Sequence, residues 1–379
     1  MQFRDLNKQY EVLKKEMDQA IGEVLQSGQF IMGEPVRRLE EDLAAYVGVR
    51  HCVSCANGTD ALSLAMAAWG VGQGDAVFVP DFTFFASGEI VSACEATPVF
   101  VDVCEDTFSM DPGHLAERIE QVRREGRLHP RAVVAVDLFG QPANMPEIKS
   151  ICAEYGLLLL EDGAQGFGGR IGDQRACSFG DIGTTSFFPA KPLGCYGDGG
   201  AVFTDNDAWA DLLRSFRVHG KGKMKYDNVR IGRNSRLDTL QAAVLTVKFR
   251  AFRDYELERV NEVAALYGQA LEDLDDRIRL PEVPENFYSS WAQYTIILPT
   301  EEWRDGLKAH LQAKDIPANI YYPKPMHEQK AFASLEDEEQ FPVSERLCRT
   351  VLSLPMHPYL TEEDIYLVKE AIGSYAKDR

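Results

Sequence analysis

Between about residue 50 and residue 204 the chain alternates short, unbroken apolar runs with stretches long enough for a helix. The runs are Cys52–Cys55, Ala76–Val79, Val99–Val101, Ala132–Val136 and Leu157–Leu160; Thr59–Trp69, Ala86–Cys94 and Met145–Tyr155 lie between them. A Val/Leu run without polar alternation, bounded by Gly, Pro or Asp, suits a strand covered on both faces. Strands joined by crossover helices pair in parallel, so the pattern predicts an α/β fold with a mainly parallel sheet between helices. Two further strands are expected at Thr184–Phe188 and Gly200–Thr204.

The flanks read differently. Leu6, Tyr10, Leu13, Met17, Ile21 and Val24 recur at three- and four-residue steps, a helix that Ser27-Gly28 ends. Pro35 opens a second helix with Val36, Leu39 and Leu43 on one face, closed by Gly48. A long helical stretch spans Arg236–Leu274, and Pro281, Pro284 and Asn286 mark a break. Beyond it lies a smaller α+β unit, with a strand at Gln293–Leu298 and helices near Glu302–Lys314, Val343–Leu352 and from Thr361. The expected division is 1–250 for the large α/β domain and its N-terminal helices, and 251–379 for a linking helix and the small domain. The run Glu336-Asp337-Glu338-Glu339 reads as a solvated acidic loop.

Charge narrows the partners. Lys+Arg number 40 against 59 Asp+Glu, a formal net charge of −19. Nucleic acid and anionic membrane surfaces are poor partners for such a chain, so an anionic ligand needs a local positive site. No apolar run approaches the roughly 18 residues of a membrane span, and MQFRDLNKQY carries no signal-like apolar core. Eight scattered cysteines fit reduced thiols and a cytoplasmic protein. Cys52-x-x-Cys55 has no second pair to complete a metal site, and no metal is expected.

Four constellations can carry chemistry. Ala56-Asn57-Gly58-Thr59-Asp60 follows a strand and opens a helix, so its free N–H groups and the Thr59 hydroxyl can hold phosphate; a plain N-cap is the alternative. Leu157–Leu160 delivers Glu161 and Asp162 at a strand's C-terminal end, where α/β folds place ligands, or where a turn needs a cap. In Ser186-Phe187-Phe188-Pro189-Ala190-Lys191-Pro192, a lysine stands between prolines; in a partly apolar pocket it can have a lowered pKa and form a Schiff base, and an exposed, inert lysine is the alternative. Arg217–Arg236 holds seven Lys/Arg and one acid, as an anion-receiving loop or a solvated one.

These pieces, with Pro80-Asp81-Phe82-Thr83-Phe84, Glu161-Asp162-Gly163-Ala164-Gln165, Gly197-Asp198-Gly199-Gly200, Asn234-Ser235-Arg236-Leu237-Asp238 and Ser353-Leu354-Pro355-Met356, resemble the DegT/DnrJ/StrS family of nucleotide-sugar aminotransferases. The likeness runs almost end to end. It implies PLP fold type I and pyridoxal 5'-phosphate, cycling with its amine form PMP. By resemblance, Lys191 holds the cofactor covalently, Asp162 pairs with the ring nitrogen, and Gln165 lies beside the phenolic oxygen. Gly58, Thr59 and Ser186 match phosphate ligands and Phe84 the stacking aromatic. Asn234 matches a phosphate ligand reaching over from a partner subunit, which implies a homodimer with shared active sites.

The resemblance further implies ping-pong transfer from L-glutamate to a nucleotide-linked keto-sugar, in surface-polysaccharide synthesis such as lipopolysaccharide O-antigen. Lys191–Gly200 looks like the subgroup acting at C3 of 3-oxo sugars, and Asn234–Gln241 and Leu354–Tyr359 look similar to enzymes that aminate UDP-2-acetamido-2-deoxy-3-oxo-glucuronate, with Arg236 near the sugar carboxylate. Tyr321-Tyr322-Pro323 stands where the family has His-Tyr-Pro, at a substrate-facing position. A dTDP-3-oxo-6-deoxyhexose is therefore the alternative acceptor. A non-catalytic regulator that kept the fold, and a lyase, are the alternatives to transfer.

Overall fold

The computed structural model describes residues 1–377, apart from 225, 273 and 336–338. Lys225 of the basic segment and Glu336, Asp337 and Glu338 of the acidic run lie outside the described residues. The run's last member, Glu339, accepts from the buried Arg118 guanidinium at 3.1 Å, so it is a partner in an ion pair and not simply solvated.

Two helices come first, α1 (Leu6–Ser27) and α2 (Glu34–Val47), each ended by a left-handed glycine, Gly28 and Gly48. The alternating part follows as β1 (His51–Cys55), α3 (Gly58–Trp69), β2 (Asp75–Pro80), α4 (Ala86–Ala93), β3 (Thr97–Val101), α5 (Pro112–Glu125), β4 (His129–Val136), α6 (Met145–Tyr155) and β5 (Leu158–Asp162). A small pair, β6 (Arg170–Ile171) and β7 (Gln174–Arg175), precedes β8 (Ile182–Ser186), β9 (Gly200–Thr204) and α7 (Asp207–Phe216). Helices α5 and α7 are additions to the sequence reading.

The main sheet has seven strands in the order β1-β9-β8-β5-β4-β2-β3. From β3 to β8 every neighbouring pair is parallel; β9 runs antiparallel to both β8 and β1. The apolar runs are explained by what covers them. Val77, Val79, Val134 and Val136 face a core with Leu62 and Ile90 from α3 and α4. Ala76, Phe78, Val133 and Ala135 face the opposite layer with Leu115, Ile119 and Ile148 from α5 and α6. Burying one such Val or Phe side chain contributes about 1.5–3 kcal/mol, so neither face tolerates a polar residue. Cys52 and Cys55 pack into different cores on opposite faces of β1, and burial pushes both thiols up, that of Cys55 to about 12.

The long helical stretch is α8 (Thr239–Ala251), a π-helical turn at Phe252–Glu256, and α9 (Leu257–Leu271). α8 packs with α1 and α2 against the sheet through Leu245 and Phe249. Then come β10 (Phe287–Tyr288), which pairs with β6, β11 (Tyr294–Ile297), α10 (Glu301–Ala313), α11 (Pro342–Thr350), β12 (Val351–Leu354) and α12 (Glu362–Lys377). The helix expected over Val343–Leu352 stops at Thr350, because Val351–Leu354 instead form an antiparallel ladder with Tyr294–Ile297. A separate core gathers Val263 and Tyr267 of α9, Leu307 and Leu311 of α10, and Ile365, Val368 and Ile372 of α12 around that ladder. Among the described residues no helix is long and apolar enough to cross a membrane.

One buried base sets an acid limit. His357 is 4% exposed, its Nδ1 accepts from Tyr359 N–H at 3.3 Å, and burial pushes its pKa down to about 4. The unfolded chain binds this proton below about pH 6.5 and the folded chain only near pH 4. Stability should therefore fall as pH drops through that window, by at most about 3 kcal/mol from this group. Denaturant unfolding from pH 7.5 to 4.5 should show His357→Gln losing less stability than the parent chain over that window; equal losses would contradict this assignment.

Candidate active site

The C-terminal ends of β2, β4 and β5 open on one edge of the sheet, and Asp162 is the last residue of β5. Its carboxylate is 5% exposed; Oδ2 accepts from the Ser87 hydroxyl at 2.7 Å and Oδ1 from the Ala164 N–H at 3.2 Å. Burial pushes its pKa up, against the pull of those two donors and of the Lys191 amine. A cation facing such a carboxylate would complete it. Ser87, from the first turn of α4, lies 75 residues away in sequence, and nothing in the local sequence marks it. Glu161, its neighbour on the strand, is turned away: its carboxylate accepts from the N–H groups of Cys177, Phe179 and Gly180, a structural role.

Lys191 follows β8 in a turn closed by its own N–H to the Phe188 carbonyl at 2.9 Å, and Cys195 N–H to Phe187 O at 2.8 Å closes the loop behind it. Withdrawal from water lowers its pKa to about 8; Asp162 opposes the shift and the Arg4 guanidinium adds to it. At neutral pH the amine is thus within reach of its neutral, nucleophilic form.

The start of α3 is built for an anion. Asn57 caps the helix, its Oδ1 accepting from Asp60 N–H at 2.7 Å, so the N-cap alternative holds for Asn57. The N–H groups of Gly58 and Thr59 have no partner inside the helix. A Cβ on Gly58 would stand 2.7 Å from Ser186 Cβ, and one on Gly200 2.5 Å from the Asn57 carbonyl. Glycine at both positions lets the end of β8 and the start of β9 close against the helix N-terminus. Gly58→Ala should weaken phosphate-dependent cofactor binding by about tenfold or more, read by titration of the cofactor-free protein. Unchanged affinity would remove Gly58 from the site.

Gln165 is 4% exposed and fixed at both ends. Its Oε1 accepts from Phe139 N–H at 2.9 Å, and its Nε2 donates to the Tyr322 hydroxyl at 2.9 Å. Phe84 leaves half of its ring exposed, 6.0 Å from the Tyr322 ring, free to stack on a flat ligand. Tyr321 lies between Tyr322 and Phe3 at 5.8 and 6.1 Å. Asn234 is exposed and Arg236 half-buried on the basic segment, and among the described residues neither makes a hydrogen bond or ion pair to Asp162, Gln165 or Lys191. Between them, Ser235 Oγ accepts from Ala56 N–H at 3.1 Å, which ties the segment to the entry of α3.

A buried carboxylate awaiting a cation, a partly neutral lysine, a helix N-terminus cleared by glycines and a free aromatic face fit pyridoxal phosphate. That group offers a basic ring nitrogen, an aldehyde, a phosphate and a flat ring. The fold and this arrangement define a pyridoxal-phosphate-dependent aminotransferase. The comparisons agree: residues 11–373 match the model of the DegT/DnrJ/EryC1/StrS aminotransferase family, and the chain belongs to that family. The UDP-2-acetamido-2-deoxy-3-oxo-D-glucuronate aminotransferase of Pseudomonas aeruginosa is 40% identical over 98% of this chain and 99% of its own. The dTDP-3-amino-3,4,6-trideoxy-alpha-D-glucose transaminase of Streptomyces venezuelae is 38% identical over 99% of this chain and 96% of its own. A solved DegT/DnrJ/EryC1/StrS aminotransferase from Brucella abortus superposes with a TM-score of 0.95 at 47% identity, covering 99% of each chain. NtdA of Bacillus subtilis, solved with bound PMP, gives 0.87 at 27% identity over 99% of this chain and 83% of its own.

Proposed function

We propose that the protein moves an amino group from L-glutamate to a 3-oxo sugar carried on a nucleotide, with UDP-2-acetamido-2-deoxy-3-oxo-D-glucuronate as the acceptor. The observation that carries this reading is the Lys191 amine held in the field of the buried Asp162 carboxylate, beside an anion-ready helix N-terminus. When bound, pyridoxal phosphate supplies a protonated ring that takes up the electron pair left at the substrate carbon. Asp162, steadied by Ser87, keeps the proton on the ring nitrogen. Gly58, Thr59 and Ser186 would hold the phosphate, Gln165 would meet the phenolic oxygen, and Phe84 would stack on the ring. Lys191, whose Nζ would hold the cofactor, would take a proton at that Nζ from the substrate carbon and return it, as a base and then an acid.

The similarity to the Pseudomonas enzyme supports the uronate acceptor, and the Streptomyces relative supports a dTDP-linked deoxysugar as the second reading. Tyr321 and Tyr322 line the acceptor side. Asn234 and Arg236 serve the site of a second copy, which makes the active unit a homodimer. In support, Phe30, Ile31, Met32, Tyr226, Val229 and Ile231 expose apolar side chains, Ile231 to 94%. The first three join the start of α8, just beyond the basic segment, through Phe30 O and Thr239 N–H at 2.9 Å. A groove of about 1020 Å³ runs along this segment to Arg236.

The test is a comparison of kcat/KM for the UDP-linked 3-oxo-uronate and a dTDP-linked 3-oxo-6-deoxyhexose, in the parent and in Arg236→Gln. Preference for the uronate, reduced about tenfold or more by Arg236→Gln with the glutamate half-reaction unchanged, is expected. Preference for the neutral sugar would favour the second reading.

A further inference from the structure

The segment before α1 is built into the wall of this site. Phe3 O accepts from Met356 N–H at 3.1 Å, and the Phe3 ring rests on Tyr321. The next residue, Arg4, donates from Nη2 to the carbonyl of Pro192, directly after Lys191, at 3.2 Å. That is the only hydrogen bond of its guanidinium, and no carboxylate forms an ion pair with it among the described residues. Its other nitrogens are not sealed from solvent. The nearest acid in its field, Glu256 on the π-helical turn, is already engaged: it accepts from Gln9 Nε2 at 2.9 and 3.0 Å and from the Tyr359 hydroxyl at 2.5 Å. Lys248 and His357 also feel the positive charge of Arg4, and the acid adjacent in sequence, Asp5, is engaged as the N-cap of α1, accepting from Lys8 N–H at 2.8 Å.

A half-buried guanidinium with one carbonyl as its hydrogen-bond partner keeps donors open to an anion. Withdrawal from water lowers the Arg4 pKa to about 10, still far above neutrality, so the cation persists. Its planar fork matches a carboxylate in bidentate fashion. The amine it acts on is Lys191, where the substrate carbon must sit.

We propose that Arg4 binds a substrate carboxylate beside the Lys191 amine. Two substrates of the reading above carry one: the amino donor, on the reacting carbon itself, and a uronic-acid sugar. The proposal rests on that reading for the identity of the ligand and on the Arg4 geometry for the site. It adds a cation from the same chain, whereas Arg236 belongs to the basic segment.

The test is calorimetric binding to the holoenzyme of three unreactive probes: glutarate, UDP-glucuronate and UDP-glucose. Each is measured with the parent, Arg4→Gln and Arg4→Lys, so that a poorly folding Gln variant leaves the Lys variant to decide. Arg4→Gln is expected to weaken a carboxylate probe about tenfold or more, with UDP-glucose unchanged and Arg4→Lys intermediate. Loss for glutarate alone assigns the donor carboxylate, for UDP-glucuronate alone the sugar carboxylate, and for both a subsite shared by the two half-reactions. Unchanged affinities, equal losses that include UDP-glucose, or a parent that binds neither carboxylate overturn the proposal. A parent that binds glutarate through Arg4 but neither sugar nucleotide leaves Arg4 in place and counts against the UDP-sugar reading.

Discussion

Lys191→Ala should leave a folded protein that holds no covalent cofactor and has lost at least about 10⁴-fold in turnover. The lysine is asked to do two things that no neighbour can take over. In the proposed reaction it carries the cofactor, and its Nζ moves the proton at the substrate carbon. The loop from Phe187 to Cys195 is closed by backbone hydrogen bonds that do not use the side chain, so removal of the amine should not unfold it. Absorbance after gel filtration reads the covalent bond, and single-turnover mixing with glutamate reads the rate. Turnover within tenfold of the parent would take Lys191 out of the chemistry.

Asp162→Asn separates binding from catalysis. The amide is isosteric and can still meet Ser87 and the Ala164 N–H, so cofactor content should stay near that of the parent. What is lost is the negative charge that, in the proposed reaction, would keep the ring nitrogen protonated, and with it the sink for the electron pair. A fall of about 10³-fold in the glutamate half-reaction is expected, with cofactor still bound. An unchanged rate would mean that the buried carboxylate serves the fold and not the reaction. Loss of cofactor with the rate per bound cofactor intact would say the same.

The sheet was legible because its strands are covered on both faces, which forces runs such as Val133–Val136 to be apolar throughout. The phosphate-ready turn at Asn57–Thr59 and the acid at Asp162 could be placed on strand ends from their flanks alone. Their roles came only from the joint resemblance, since each motif had an ordinary structural explanation. α5 carries Leu115, Ile119 and Val122 at helical spacing behind an Asp111 cap, a signal present but unread. The end of α11 could not be read, because Val351 and Leu352 continue an apolar helical face until β11 arrives from elsewhere to pair with them. Ser87 and Arg4 were invisible for the same reason. Their contacts depend on which strands lie side by side and on where the chain's first residues are laid down. The sequence places Tyr322 at a substrate-facing position only by resemblance; its bond from Gln165 Nε2 comes from the fold, and in the proposed site it joins the two.

The central claim is that this one site passes an amino group from an amino acid to a nucleotide-linked keto-sugar. The most direct measurement is the visible absorption spectrum of the purified protein, followed through addition of L-glutamate and then of single 3-oxo sugar nucleotides. A cofactor band that bleaches with glutamate and returns with one keto-sugar is the predicted result, and the sugar that restores it is the acceptor. A protein that shows no band even after pyridoxal phosphate is added, or whose band ignores glutamate and every keto-sugar, would contradict the account.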